Sequence, residues 1–121
     1  MSVKKPRFAV LMDDCENGQK GNLSFVSYFL KDEYDTTLSD WNGTFFFKNG
    51  NSLGISVHCP EKYPDEVPTI VFSAFPRTTN KIQVNNNVLL PTSEVCRDWL
   101  QIDHNKRNLD ALFQLIYANF K

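Results

Sequence analysis

The run Tyr63-Pro64-Asp65-Glu66-Val67-Pro68-Thr69-Ile70-Val71-Phe72 constrains this chain more than any other stretch. Each of its two prolines lacks the N–H that a strand ladder needs, so neither can sit inside a central strand. The segment reads as a rigid extended lead-in, after which Thr69 to Phe72 predicts a short buried strand. Upstream, Thr44-Phe45-Phe46-Phe47-Lys48 and Ser52 through Cys59 flank Asn49-Gly50, a pair suited to the positive φ angles of a type I′ hairpin turn. In the return strand Leu53, Ile55, Val57 and Cys59 share one face, and Ser52, Gly54, Ser56 and His58 share the other. Leu23 to Lys31 alternates loosely and is rich in aromatics, so it predicts a strand, and a polar link from Asp32 to Asp40 leads on to Trp41. These segments together predict a four-stranded antiparallel meander.

Two helical patterns frame it. Phe8, Leu11, Met12 and Cys15 fall at i, i+3, i+4 and i+7, predicting a short amphipathic helix that starts near Pro6 and stops at Asn17-Gly18. Leu109, Leu112, Phe113, Ile116, Tyr117 and Phe120 predict a C-terminal helix whose stripe packs on the sheet. Asn80 to Asp98 has little period and many Asn residues, and reads as a long ordered loop. The fold class is therefore α+β, in a single domain over residues 1–121, a length that can bury its own core. A net charge of -1 and a pI near 6.1 give no electrostatic ground for nucleic-acid binding. No apolar run is long enough to span a membrane, and the basic N-terminal segment Met1 to Arg7 lacks the apolar stretch of a signal peptide. Three widely spaced cysteines, an odd number, argue against a disulfide framework. These properties describe a soluble intracellular domain.

The Tyr-Pro-x-x-x-Pro-x-x-x-Phe run followed by Trp99 resembles the core signature of the ubiquitin-conjugating enzymes, and the predicted element order is that of their fold. Pro6-Arg7-Phe8, Gly18-Gln19-Lys20-Gly21 and Thr37-Leu38-Ser39-Asp40-Trp41-Asn42-Gly43-Thr44 are similar to a narrower group, the ubiquitin-conjugating enzyme variants that pair with an active conjugating enzyme. The active family carries its cysteine about eight residues before the Trp, or about eight after the Asn of a His-Pro-Asn triplet. Those counts reach Pro91 and Val88, and the triplet is Thr78-Thr79-Asn80, so Asn80, Val88 and Pro91 mark degenerate active-site positions. Cys96 is the other candidate nucleophile; it stands close to Trp99 with no histidine near it in sequence, and a free cysteine is more often a small buried hydrophobe.

The resemblance implies a partner of a conjugating enzyme that is not itself an enzyme, needs no metal or small cofactor, and serves in cytoplasm and nucleus, with DNA damage tolerance as the setting. It would hold an acceptor ubiquitin so that one lysine faces the loaded cysteine of the active enzyme, building signalling-type, non-degradative chains. Conjugating-enzyme contacts fall to Phe8, Ala9, Leu11 and Met12. Phe8 directly follows Arg7 where the family has one residue between, which puts Ala9 at the family's phenylalanine position. Phe8 is then either the partner anchor, displaced by about 100° around the helix, or a core residue. Acceptor-ubiquitin contacts fall to Ser27, Thr44 and Ser52, edged by Phe25 and Phe29 on the outward sheet face with Phe46. Those aromatics form a docking patch unless the first helix or the termini cover them. The connection at Phe47-Lys48-Asn49-Gly50 is shorter than the family's, and Ser52 replaces a bulky aliphatic. These departures, with the displaced Phe8, keep open an alternative, an adaptor for trafficking or signalling that uses the inactive fold without ubiquitin transfer.

Overall fold

The structure, a computed structural model, describes residues 4–121; the first three residues of the basic N-terminal segment lie outside the described residues. Helix α1 (Arg7–Lys20) leads into strands β1 (Val26–Leu30), β2 (Asp40–Phe46), β3 (Ser52–His58) and β4 (Thr69–Phe72), which pair antiparallel in chain order. The sheet does not end there. Strands β5 (Val84–Asn85) and β6 (Val88–Leu89) extend it to six strands, in the order β1-β2-β3-β4-β6-β5. Helices α2 (Glu94–Leu100) and α3 (Leu109–Ala118) complete the chain.

The segment expected to be a long loop, 80–98, is thus a small hairpin followed by the start of a helix. Asn86 (φ 52°) and Asn87 (φ 65°) are consecutive left-handed residues between β5 and β6, the backbone of a type I′ turn, which asparagine tolerates better than other side chains. The Phe72 N–H donates to the Asn87 carbonyl at 2.8 Å and ties the hairpin to β4. The buried Ser93 hydroxyl then accepts from the Gln83 N–H (2.9 Å) and donates to the Gln83 carbonyl (3.1 Å), fixing the entry to α2.

The β2–β3 turn differs from expectation in the opposite sense. Only Gly50 of the pair takes a positive φ, 89°. Its N–H donates to the Phe47 carbonyl (3.0 Å), and the Phe47 N–H donates to the Asn51 carbonyl (2.9 Å). A three-residue connection ending on a left-handed glycine replaces the two-residue turn.

Helix α1 runs past Asn17-Gly18 and ends at Gly21, whose N–H donates to the Asn17 carbonyl at 3.1 Å. A Cβ on Gly18 would stand 2.8 Å from the Tyr28 carbonyl oxygen, so the missing side chain is what lets α1 lie this close to β1. The phase of the helix also differs from the predicted stripe. Val10, Leu11 and Asp14 are buried, while Phe8 and Met12 are 58% and 49% exposed. Asp14 accepts from the Tyr63 hydroxyl (2.6 Å) and from the Leu109 N–H at the first turn of α3 (2.9 Å). One carboxyl therefore joins α1, the lead-in to β4 and α3.

The α3 stripe packs on the inner face of the sheet as its period predicts: Leu109, Leu112, Phe113 and Ile116 are fully buried. Phe113 meets Tyr28 and Phe45 edge-on, at 5.0 and 5.8 Å between ring centroids. The Asn108 side chain caps the helix by accepting from the Ala111 N–H at 2.8 Å.

Candidate functional site

The outward face of the sheet is built by strand alternation. On β1 and β2, Ser27 lies directly opposite Thr44, and Phe29 opposite Asn42. Phe46 faces Ser52 across β2 and β3. The register carries the Phe29–Asn42 row through Ser56 and Val71 to Val88. Phe29 is 59% exposed and Phe46 47% exposed, with Val71 also open to solvent. Hydroxyls and amides in the middle of the sheet are thus framed by apolar side chains. Nearby on the same face His58 Nδ1 and Asp40 Oδ1 lie 2.7 Å apart.

Phe25 is not part of this face. It precedes β1, is half-buried, and stacks on Tyr117 of α3 with centroids 4.2 Å apart and planes at 18°. Two consecutive residues, Phe25 and Val26, therefore turn inward, because the alternation starts only at the first paired residue.

The second face is the outer side of α1. Phe8 and Met12 are one helical turn apart and both open, with Ala9 half-buried beside them. Leu11 is fully buried and cannot touch a partner, so it leaves the set of contact residues. Arg7 fixes where this face sits. Its guanidinium donates to the Pro60 and Cys59 carbonyls (2.9 and 3.0 Å), the Thr37 carbonyl (3.2 Å) and the Ser39 hydroxyl (2.9 Å). That clamp holds the link before β2, where Leu38 takes a left-handed φ of 54° and its carbonyl accepts the Trp41 indole N–H at 2.9 Å.

The degenerate active-site positions are dispersed. Asn80 is an exposed turn residue, Val88 is a paired β6 residue opposite Val71, and Pro91 is exposed ahead of α2. Cys96 is buried on α2 with its Sγ 3.6 Å from the Leu90 carbonyl, and burial pushes its thiol up to about 11. Cys59 is buried too and its thiol is likewise raised by burial, then by the Asp14 carboxylate. Cys15 is half-buried, and its thiol is raised by burial and then by Asp14. All three free thiols are held away from the thiolate that transfer chemistry needs.

The chain is 31% identical over 108 residues to the ubiquitin-conjugating enzyme variant MMS2 of Saccharomyces cerevisiae, a match covering 79% of this chain and 74% of that protein. The chain belongs to the ubiquitin-conjugating enzyme variants. A shorter match, 36% identical over 76 residues, covers 58% of this variant and 55% of the ubiquitin-conjugating enzyme spm2 of Schizosaccharomyces pombe. No protein-family model matches the sequence. The fold of the variant is that of the human ubiquitin-conjugating enzyme E2 G1, with a TM-score of 0.67 at 18% identity over 97% of both chains. It also matches a Plasmodium vivax ubiquitin conjugating enzyme E2, at a TM-score of 0.65 and 12% identity, over 92% of this chain and 98% of that one.

Two features of the variant escaped sequence reasoning. Asp14 stands off the predicted apolar stripe, yet it is buried, and burial raises its carboxyl to about 7 against the lowering effect of its Tyr63 and Leu109 hydrogen bonds. The signal was its position, one turn beyond Val10 and Leu11 on the same side of the helix. Val71 extends the outer apolar frame and was legible only as a strand residue.

Proposed function

We propose that this variant binds an active ubiquitin-conjugating enzyme through the outer side of α1 and holds an acceptor ubiquitin on the outward face of β1–β3. The observation that carries this reading is the Ser27–Thr44 pair, exposed or half-exposed in direct register and framed by Phe29 and Phe46, in a chain whose thiols are all raised. Phe8 and Met12 supply the apolar contact to the active enzyme, with Ala9 at their edge. The variant, one domain without a nucleophile of its own, contributes position. The acceptor's neutral lysine amine attacks the thioester carbonyl on the partner, the C–S bond breaks as the partner's cysteine departs as thiolate, the nitrogen gives up one proton to solvent, and an isopeptide bond remains. Holding the amine in a near-attack geometry is itself a large rate factor. The orientation favours one lysine, giving signalling-type, non-degradative chains, in the cytoplasm and nucleus and in the service of DNA damage tolerance.

Ser52 and the short 47–51 connection favour a second reading, an adaptor that has kept the fold and left chain building. One titration separates the two. Isotope-labelled ubiquitin titrated with the variant shows saturable amide shifts under the first reading, and Ser27→Arg removes them while the melting temperature stays unchanged. Undiminished shifts with Ser27→Arg, or none with the unaltered protein, move the assignment to the adaptor.

A further inference from the structure

A groove of about 870 Å³ opens between the β2–β3 turn, the loop after β4 and the end of the chain beyond α3. Its floor is apolar and already packed. Phe47 lies nearly parallel to Tyr117 with centroids 6.1 Å apart, and Phe120 meets Phe47 edge-on at 5.3 Å. One wall is pinned by backbone bonds: the Lys121 N–H donates to the Arg77 carbonyl (3.0 Å) and the Thr79 N–H to the Asn119 carbonyl (2.8 Å). On the rim Phe75 stands 77% exposed.

The charged side chains around this floor are of one sign. Lys48 on the turn, Arg77 on the facing loop and Lys121 at the end line the groove, and no acidic residue does. None of the three forms an ion pair among the described residues. Such a concentration is notable in a protein whose net charge is -1. We propose that this groove docks an acidic peptide segment that lays one apolar side chain against the Phe47–Phe120 floor and Phe75, with its carboxylates on Lys48, Arg77 and Lys121. Because floor and wall are preformed, little ordering of the variant is needed on binding. A single-stranded nucleic acid stacks successive bases on a row of open rings, and here Phe75 is a single open ring while Tyr117 already stacks on Phe25 and Phe47. The proposal is independent of chain building.

The probe is a fluorescein-labelled peptide of Asp and Glu residues around a single Trp, compared with a Lys-for-acid counterpart and an oligouridylate. Anisotropy gives affinity, and amide shifts of the intact labelled protein give location. The acidic peptide binds saturably, with shifts confined to residues 47–53, 74–77 and 117–121. Lys48→Glu with Arg77→Glu weakens it by roughly tenfold or more, since rim charges act together and each tenfold is about 1.4 kcal/mol. Phe75→Ser, at a position too exposed to support the fold, weakens it as well, and both variants keep the melting temperature. The proposal is overturned by equal binding of the Lys peptide, by shifts elsewhere, by no effect of either variant, or by tighter binding of the oligouridylate, which would make the groove a nucleic-acid site.

Discussion

At the residue scale, Asp14 shows how a single carboxyl couples the fold to pH. It is buried, satisfied by Tyr63 and Leu109, and raised from 3.8 to about 7 mainly by burial. The native state therefore keeps a proton that the unfolded chain has already released. The stability this contributes is fully present below the unfolded value and is lost as pH rises through about 7. The melting temperature of the unaltered protein falls between about pH 4 and about pH 7, and Asp14→Asn, of nearly the same shape, flattens that slope. A slope of equal size in the variant would contradict the assignment. Asp14→Ala goes further, stranding the Leu109 N–H and the Tyr63 hydroxyl at about 1–3 kcal/mol for each unsatisfied group.

At the scale of elements, α1 has one buried face and one open face. Leu11 serves the core, so Leu11→Ala costs about 2–5 kcal/mol and lowers the melting temperature. Phe8→Ala with Met12→Ala leaves the melting temperature in place and weakens binding to the conjugating enzyme by calorimetry; unchanged affinity would remove this face from the interface. The sequence made the helix legible but not its phase. Phe8, Leu11, Met12 and Cys15 match an apolar template, whereas the inward face runs from half-buried Arg7 through Val10, Leu11 and Asp14 to Gly18. The two charged members of that face find partners far away in the chain, at Pro60, Tyr63 and Leu109, and no local period records such partners. The β5–β6 hairpin was hidden for a different reason. Its strands have two residues each, too few to show alternation, and its one signal was Asn86-Asn87 set between Val84 and Val88. Phe25 misled because strand alternation was carried one residue past the start of β1.

At the scale of the molecule, the residues that most clearly announced the family turn out to be core. Tyr63 stacks on Trp99 with centroids 6.0 Å apart, and the Arg107 guanidinium covers that indole at 5.5 Å while donating to the Pro64, Leu100 and Ile102 carbonyls. The signature records how the β4 lead-in packs against α2, which is why the fold was readable without a nucleophile. The proposed docking faces were only partly so, because exposure depends on which residues the remote elements cover. The central claim is that this protein supplies position and a partner supplies the thioester. The direct test is chain formation with activating enzyme, ubiquitin and a variant-dependent conjugating enzyme, with this protein, without it, and with this protein but no conjugating enzyme. On this reading free ubiquitin chains form only when both are present, at an undiminished rate with Cys96→Ala. Chains without the conjugating enzyme, a reductant-sensitive ubiquitin adduct on Cys96, or no stimulation of the conjugating enzyme would contradict it.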